Sequence, residues 1–215
     1  FIELNYLTGT FQAICSTHKK LETYTHQEFL NEFSASYGNY TWVFTDGSLD
    51  PESRTVGFGV HIPSINYNYA SRLHEHTQIC TAEIIAINKA VSVAIIFSDA
   101  KSAIQKLHNT TWGTNNHIVN LTKRLIIENI ILAWIPGHTG VKGNTEADKL
   151  ANIGKTLNVP ADIKIDKFDF LPFEFKVEWT KQFKTKGKWY QQCQSDFSIN
   201  PWFHKFTFVA LNINY

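Results

Sequence analysis

Four carboxylates sit where they could work together: Asp46, Glu83, Asp99 and Asp148. Asp46 and Asp99 each close an apolar run of strand-forming residues. If a helical crossover makes those two strands parallel neighbours, both carboxylates emerge at one end of the sheet. That is the end at which open α/β sheets place their ligands. Glu83 falls in the first turn of the expected crossover helix and can face the same crevice. Asp148 lies near the start of the last expected helix, where the N-terminus favours an ionised carboxylate. Acids crowded at one edge repel one another, and without cations some take up protons. Oxygen-only ligands suit Mg²⁺ or Mn²⁺, whereas zinc wants His or Cys. Two such ions about 4 Å apart can hold the attacking water and the leaving oxygen of a phosphodiester. A lone Asp at a strand end is as readily a solvated turn residue; the joint placement of four is what points to metal-assisted hydrolysis.

The elements that would carry these acids begin with Tyr40–Thr45, a strand expected to end in the turn cluster Asp46-Gly47-Ser48. Thr55–Ile62 reads as a second strand, its Gly57 and Gly59 allowing close backbone approach. Ile65–Leu73 alternates as a third, and short turns between the three suggest an antiparallel meander. Thr81–Ala94 switches to helical spacing, with Ile84, Ile87 and Val91 on one face. Ile95–Ser98 is a short strand, Lys101–His108 a helix, Asn109–Asn116 a polar loop and Ile118–Glu128 another helix. Ile130–Ile135 is a buried strand stopped by Pro136-Gly137. The last helix opens at Gly143-Asn144-Thr145, with Asn144 or Thr145 as its cap, and runs to about Lys155. The order is β-β-β-α-β-α-α-β-α.

The segments Phe44-Thr45-Asp46-Gly47-Ser48, Thr81-Ala82-Glu83, Phe97-Ser98-Asp99, Trp134-Ile135-Pro136-Gly137-His138 and Gly143-Asn144-Thr145-Glu146-Ala147-Asp148 resemble, in this order, the type 1 ribonuclease H family. The resemblance covers about residues 40–156. It implies an α/β fold with a mixed five-stranded sheet, three antiparallel strands followed by two parallel ones, flanked by helices. It also implies an endonuclease that cuts the RNA strand of RNA–DNA hybrids with two Mg²⁺ ions, Mn²⁺ being able to replace them. By resemblance Asp46, Glu83, Asp99 and Asp148 are the metal-binding acids, and His138 is the mobile histidine that assists proton transfer or product release. Asn144 matches a position near the scissile bond, although capping the helix would also account for it. Gly47, Ser48 and Gln78 join Asn144 as expected substrate contacts. The chain is also similar to ribonuclease H domains of insect non-LTR (LINE-type) retrotransposon polyproteins, which implies an upstream reverse transcriptase as partner and a nuclear or cytoplasmic setting. Lys186-Gly187-Lys188-Trp189-Tyr190 and Pro201-Trp202-Phe203 resemble the segment C-terminal to those domains.

The chain departs from the family pattern before Glu83. Many cellular members carry two amide side chains there that read the minor groove and 2′-hydroxyls. Here the stretch is Gln78-Ile79-Cys80-Thr81-Ala82-Glu83, and only Gln78 remains. A module of this fold kept for binding, with catalysis lost, is therefore the alternative reading.

At 215 residues, 43% hydrophobic and 18% charged, the chain supports one packed domain with flanking segments: 1–36, a core domain over 37–158, and an aromatic, basic extension over 159–215. Net charge is only +1, and the slight basic bias lies in the extension, with eight bases against six acids. There Trp179, Trp189, Tyr190 and Trp202 alternate with lysines. They could grip nucleic acid, but packing on the main domain is the favoured reading because aromatic burial is strongly favourable. Three scattered cysteines form no disulfide framework, and His74, His76 and Cys80 fit a half-buried strand leading to a helix better than a zinc site. No run approaches the roughly 18 apolar residues of a membrane span. The chain opens on Phe1 and has no Met, so a piece of a longer protein is expected.

One expectation concerns chain continuity. A helix from Thr81 to Ala94 would carry the chain about 20 Å away from the active edge, and the next strand must return. Reversal normally takes a loop of about 2–6 residues, yet Ser92–Phe97 holds no turn former. Residues are therefore expected to be missing near Ala94–Ile95, the alternative being a helix that ends early with Val91–Ala94 as the turn.

Overall fold

The computed structural model describes residues 2–3, 12–15, 24–90, 94–109, 116–126, 130–164 and 166–186. In chain order the strands are β1 (Ile2–Glu3), β2 (Gln12–Cys15), β3 (Thr41–Asp50), β4 (Thr55–Ile62), β5 (Tyr67–Leu73), β6 (Ala94–Ser98) and β7 (Ile131–Trp134). The helices are α1 (His26–Tyr37), α2 (Ile79–Lys89), α3 (Lys101–Asn109), α4 (His117–Leu125), α5 (Lys142–Thr156) and α6 (Lys167–Lys186). The sheet order is β1-β2-β7-β6-β3-β4-β5. β3, β4 and β5 form the antiparallel meander, and β6 and β7 run parallel to β3. The five expected strands thus have the expected senses. Beyond β7 the sheet gains β2, parallel to it, and β1, antiparallel to β2.

The central strands are buried on both faces, so their sequences are nearly continuous apolar runs. Alternation still sorts the side chains. Val43, Ile96 and Leu132 join one core with Ile84 and Ile87 of α2 and Leu107 and Val119 of α3 and α4. Phe44, Ile95, Phe97 and Ala133 point the other way, into a second core with Phe29 and Phe33 of α1 and Ala147 of α5. Helix α1 is set by a capping box in which Glu28 N–H donates to the Thr25 hydroxyl and Thr25 N–H to the Glu28 carboxylate. The amphipathic spacing of Thr25–Phe33 predicts a shorter helix, with a linker over Ser34–Tyr40; α1 instead runs to Tyr37, with Phe29 and Phe33 anchoring it on Phe97 at ring-centroid distances of 5.0 and 4.9 Å.

Four more expectations are corrected. β3 does not end at Asp46-Gly47-Ser48 but continues to Asp50, because pairing with β4 extends to Asp50 opposite Thr55. Helix α2 covers Ile79–Lys89 with Ala90 as its C-cap, so it ends well before Ala94. Ala94 and Ile95 are consecutive residues of one strand, paired with the adjacent Thr41 and Trp42. With the helix ending early and Ala94 and Ile95 adjacent in β6, no missing segment between them is needed; 91–93 lie outside the described residues. Helix α5 opens at Lys142 with Val141 at its N-cap, which leaves Asn144 and Thr145 inside the first turn.

Gly57 and Gly59 do allow close approach. A Cβ on Gly59 would fall 2.4 Å from Ala147 O and 2.6 Å from Ala151 N, so α5 rests directly on the β4 backbone. Phe1–Asp169 forms one compact unit and Phe170–Tyr215 a second. Residues 170–186 of the second are helical. On that helix Trp179 and, one turn before it, Phe175 are exposed. Trp189, Tyr190 and Trp202 lie outside the described residues. Among those described, no helix is long and apolar enough to cross a membrane.

Candidate active site

The parallel pairing of β3 and β6 places Thr45 opposite Ser98, so Asp46, within β3, and Asp99, just past the end of β6, stand at the same level. After Asp99 the chain turns at once: Ser98 Oγ accepts from Ala100 N–H at 3.1 Å, and Lys101 N–H donates to Asp99 O at 2.9 Å. Glu83 joins the two aspartates from the second turn of α2. The backbone of α2 comes close to β3 at Gly47, where a Cβ would lie 3.0 Å from Glu83 N. Asp46, Glu83 and Asp99 each offer an oxygen, all within 4.8 Å of one another. They are the only such group of three among the described residues.

The site strains against its own charge. Asp46 is 7% exposed and Glu83 6%. Burial, followed by the charges of Asp99 and Asp148, pushes the Asp46 carboxyl up to about 8. Burial also raises Glu83 well above the usual carboxylate range, with the charges of Asp46 and Asp99 adding to it and the Gly47 amide opposing. Glu83 Oε2 is buried and has no hydrogen-bond partner. A buried acceptor without a donor is costly. An oxygen-only trio with one orphaned oxygen, in which Asp46 and Glu83 are both raised, fits a divalent cation, which would satisfy the orphan and discharge the repulsion.

Asp148 flanks this trio. From α5 its carboxyl comes within hydrogen-bonding reach of Asp46 and raises it, while its Oδ1 accepts from Asn152 Nδ2 at 3.0 Å. Asn144 is 5% exposed and donates Nδ2–H to Asp99 Oδ2 at 3.0 Å. It therefore orients a carboxylate instead of capping the helix. Trp134 Nε1–H donates to Asp99 O at 3.0 Å, and Lys101 Nζ sits 5.2 Å above its ring. The motif residues Trp134-Ile135-Pro136-Gly137-His138 signalled this corner, but not that Trp134 holds the Asp99 backbone.

His138 is exposed on the loop between β7 and α5. A glycine before His138 would ordinarily supply such a loop's freedom, but the left-handed backbone belongs to His138 itself, with φ 55°, and to Gly140, with φ 80°. Gly137 is required for another reason: a Cβ there would lie 2.5 Å from Asp99 Oδ2. Ser48 Oγ donates to Asn152 Oδ1 at 3.0 Å, and Gln78 stands half-buried at the N-cap of α2. Asp169, which no motif flagged, reaches the same helix start. Gln78 N–H donates to its Oδ2 at 3.1 Å and the Thr81 hydroxyl to its Oδ1 at 3.0 Å.

The RNase H family model matches residues 38–155. No curated protein matches the chain. Strand order, acidic trio and family match agree over the same stretch, and the chain belongs to the RNase H family.

Proposed function

We propose that the chain hydrolyses the RNA strand of RNA–DNA hybrids, with two Mg²⁺ ions that Mn²⁺ can replace. Asp46, Glu83 and Asp99 would hold them, with Asp148, which acts on Asp46, as a fourth acid for the pair. The observation that carries this reading is the convergence of three carboxylates at a single sheet end, Asp46 and Glu83 buried and Asp99 half-buried, with one Glu83 oxygen orphaned. Bound there, the cations supply the positive charge that stabilises the phosphoryl transition state and activates water.

The protein's own groups do the rest. Asn144 and Trp134 fix Asp99 at its carboxylate and its backbone, which keeps the ligand set preorganised. His138, exposed on the loop that abuts Asp99, moves the proton that hydrolysis requires. Gly47, Ser48 and Gln78 lie along β3 and at the start of α2, where they contact the hybrid. We further propose, from the resemblance of the chain to LINE-type polyprotein segments, that it serves reverse transcription beside an upstream polymerase.

The test is cleavage of a labelled hybrid in Mg²⁺ by the parent protein and by Asp99→Asn. A neutral amide binds Mg²⁺ far less well than a carboxylate, so the variant is expected to fold and to lose several powers of ten in rate. Near-normal cleavage by Asp99→Asn would sink the assignment. A parent that binds hybrid without cutting it would instead identify a binding module.

A further inference from the structure

Helix α2 carries Glu83 and begins without a cap of its own. Its N-cap residue Gln78 makes no side-chain capping bond, and its first turn holds no acid. In α1 the third helical residue, Glu28, reaches back to the N-cap N–H. In α2 the equivalent residue is Thr81, whose hydroxyl makes no such bond and points to Asp169 instead. The missing acceptor comes from 91 residues downstream. One carboxylate, Asp169, takes the Gln78 N–H on Oδ2 and the Thr81 hydroxyl on Oδ1. A carboxylate here satisfies first-turn donors and sits at the positive end of the helix. Asp169 is only 4% exposed, so water does not compete for these bonds.

The strap that delivers Asp169 is itself fastened. Arg72 Nη1 donates to Leu157 O at 3.0 Å, and Ala161 N–H to Arg72 O at 2.7 Å, which ties the start of the strap to β5. Further along, the buried Asp166 carboxylate lies 3.4 Å from His117 Nδ1 at the start of α4, and Asp169 N–H donates to Asp166 O at 2.9 Å. The strap lies beyond residue 155, where the family match ends. The start of α2 is therefore approached at Glu83 by Gly47 of β3 and bonded at Gln78 and Thr81 by Asp169.

We propose that Asp169 is a positioning residue for Glu83: by capping α2 from the strap over 157–169, it holds the Glu83 carboxylate in register with Asp46 and Asp99 for a divalent cation. The inference rests on the metal-binding reading of the acidic trio. Glu83 is two residues beyond Thr81, so slack in the first turn passes directly to its carboxylate.

The experiment uses the full chain and measures Mn²⁺ binding by calorimetry without substrate, thermal unfolding, and hybrid cleavage. Asp169→Ala is expected to weaken Mn²⁺ binding about 10- to 100-fold, the usual loss when a group orienting a ligand is removed. Asp169→Asn keeps an accepting oxygen and should fall between Asp169→Ala and the parent. Thr25→Ala removes the α1 cap and serves as the control. It should lower Tm by a few degrees and leave Mn²⁺ affinity within about twofold. In cleavage, kcat should fall for Asp169→Ala with KM little changed. Unchanged Mn²⁺ affinity in Asp169→Ala, or a loss matched by Thr25→Ala, overturns the proposal. If Asp169→Ala does not fold, Asp169→Asn decides, and parent-like Mn²⁺ affinity in that variant overturns it. A parent that binds no Mn²⁺ defeats the metal reading and this inference together, whereas a parent that binds while both Asp169 variants bind equally well defeats this inference alone.

Discussion

Replacing Asp46 with Asn should make the metal-free protein more stable, and increasingly so as pH rises. The Asp46 carboxyl stands at about 8 in the folded protein against an ordinary value of 3.8. Its folded value is raised, so the stability linked to it is fully present below about pH 4 and is lost as pH rises towards 8. Each pH unit in that window costs about 1.4 kcal/mol. From 3.8 to pH 7 is about three units, or on the order of 4 kcal/mol. Asp46 is 7% exposed, so solvent screens little of this. Asn carries no charge at any pH and escapes the cost while keeping nearly the same shape. For a unit of this size about 4 kcal/mol corresponds to a Tm gain on the order of 10 °C. The assay is thermal unfolding in EDTA at steps from pH 4.5 to 7.5, for the parent and Asp46→Asn. The two Tm values should nearly coincide at the acid end and separate towards pH 7.5. Adding Mn²⁺ at pH 7.5 should raise the parent's Tm and leave the variant's almost unchanged, because the cation replaces the proton only where a carboxylate can bind it. A Tm difference that stays constant with pH, or a variant less stable than the parent at pH 7.5, would refute the reasoning.

Other substitutions test the supports of the site. His138 holds φ 55°, a conformation costing roughly 1–2 kcal/mol in a non-glycine residue, so His138→Gly should unfold at higher urea than His138→Ala while both lose about 10²–10⁴ in cleavage rate; equal stability of the two would remove the strain argument. In Gly59→Ala the new Cβ would meet the α5 backbone at 2.4 Å, and the expected loss is about 1–3 kcal/mol together with weaker cleavage, because α5 carries Asp148. Phe29→Ala should cost about 3–5 kcal/mol in urea unfolding, since this ring lies fully buried against Phe97; a loss under about 1 kcal/mol would show that α1 is not part of the folded core.

The sequence by itself was enough for the strands β3 to β7 and for the sheet end at which the acids meet, but not for β1 and β2. Runs such as Val43-Phe44 and Ile95–Phe97 are apolar on consecutive residues because both faces of the central sheet are covered. The Asp that ends each run is legible because the parallel crossover leaves little choice about where the two emerge. Tertiary structure decided what depended on partners far along the chain. Gly47 and Ser48 look like turn residues, yet the ladder to β4 keeps them in a strand. Asn144 looks like a helix cap, yet Asp99, 45 residues away, takes its side chain. His138 and Gly137 exchange the roles their types suggest, because Asp99 leaves no room for a Cβ at Gly137. Asp169 had no local signature at all, since the donors it satisfies belong to a helix 91 residues earlier. Periodicity and residue type record what a residue needs from its immediate neighbours and from water. The donor or acceptor that a buried polar group finally meets is set by the packing of distant elements, and only the folded chain reveals it.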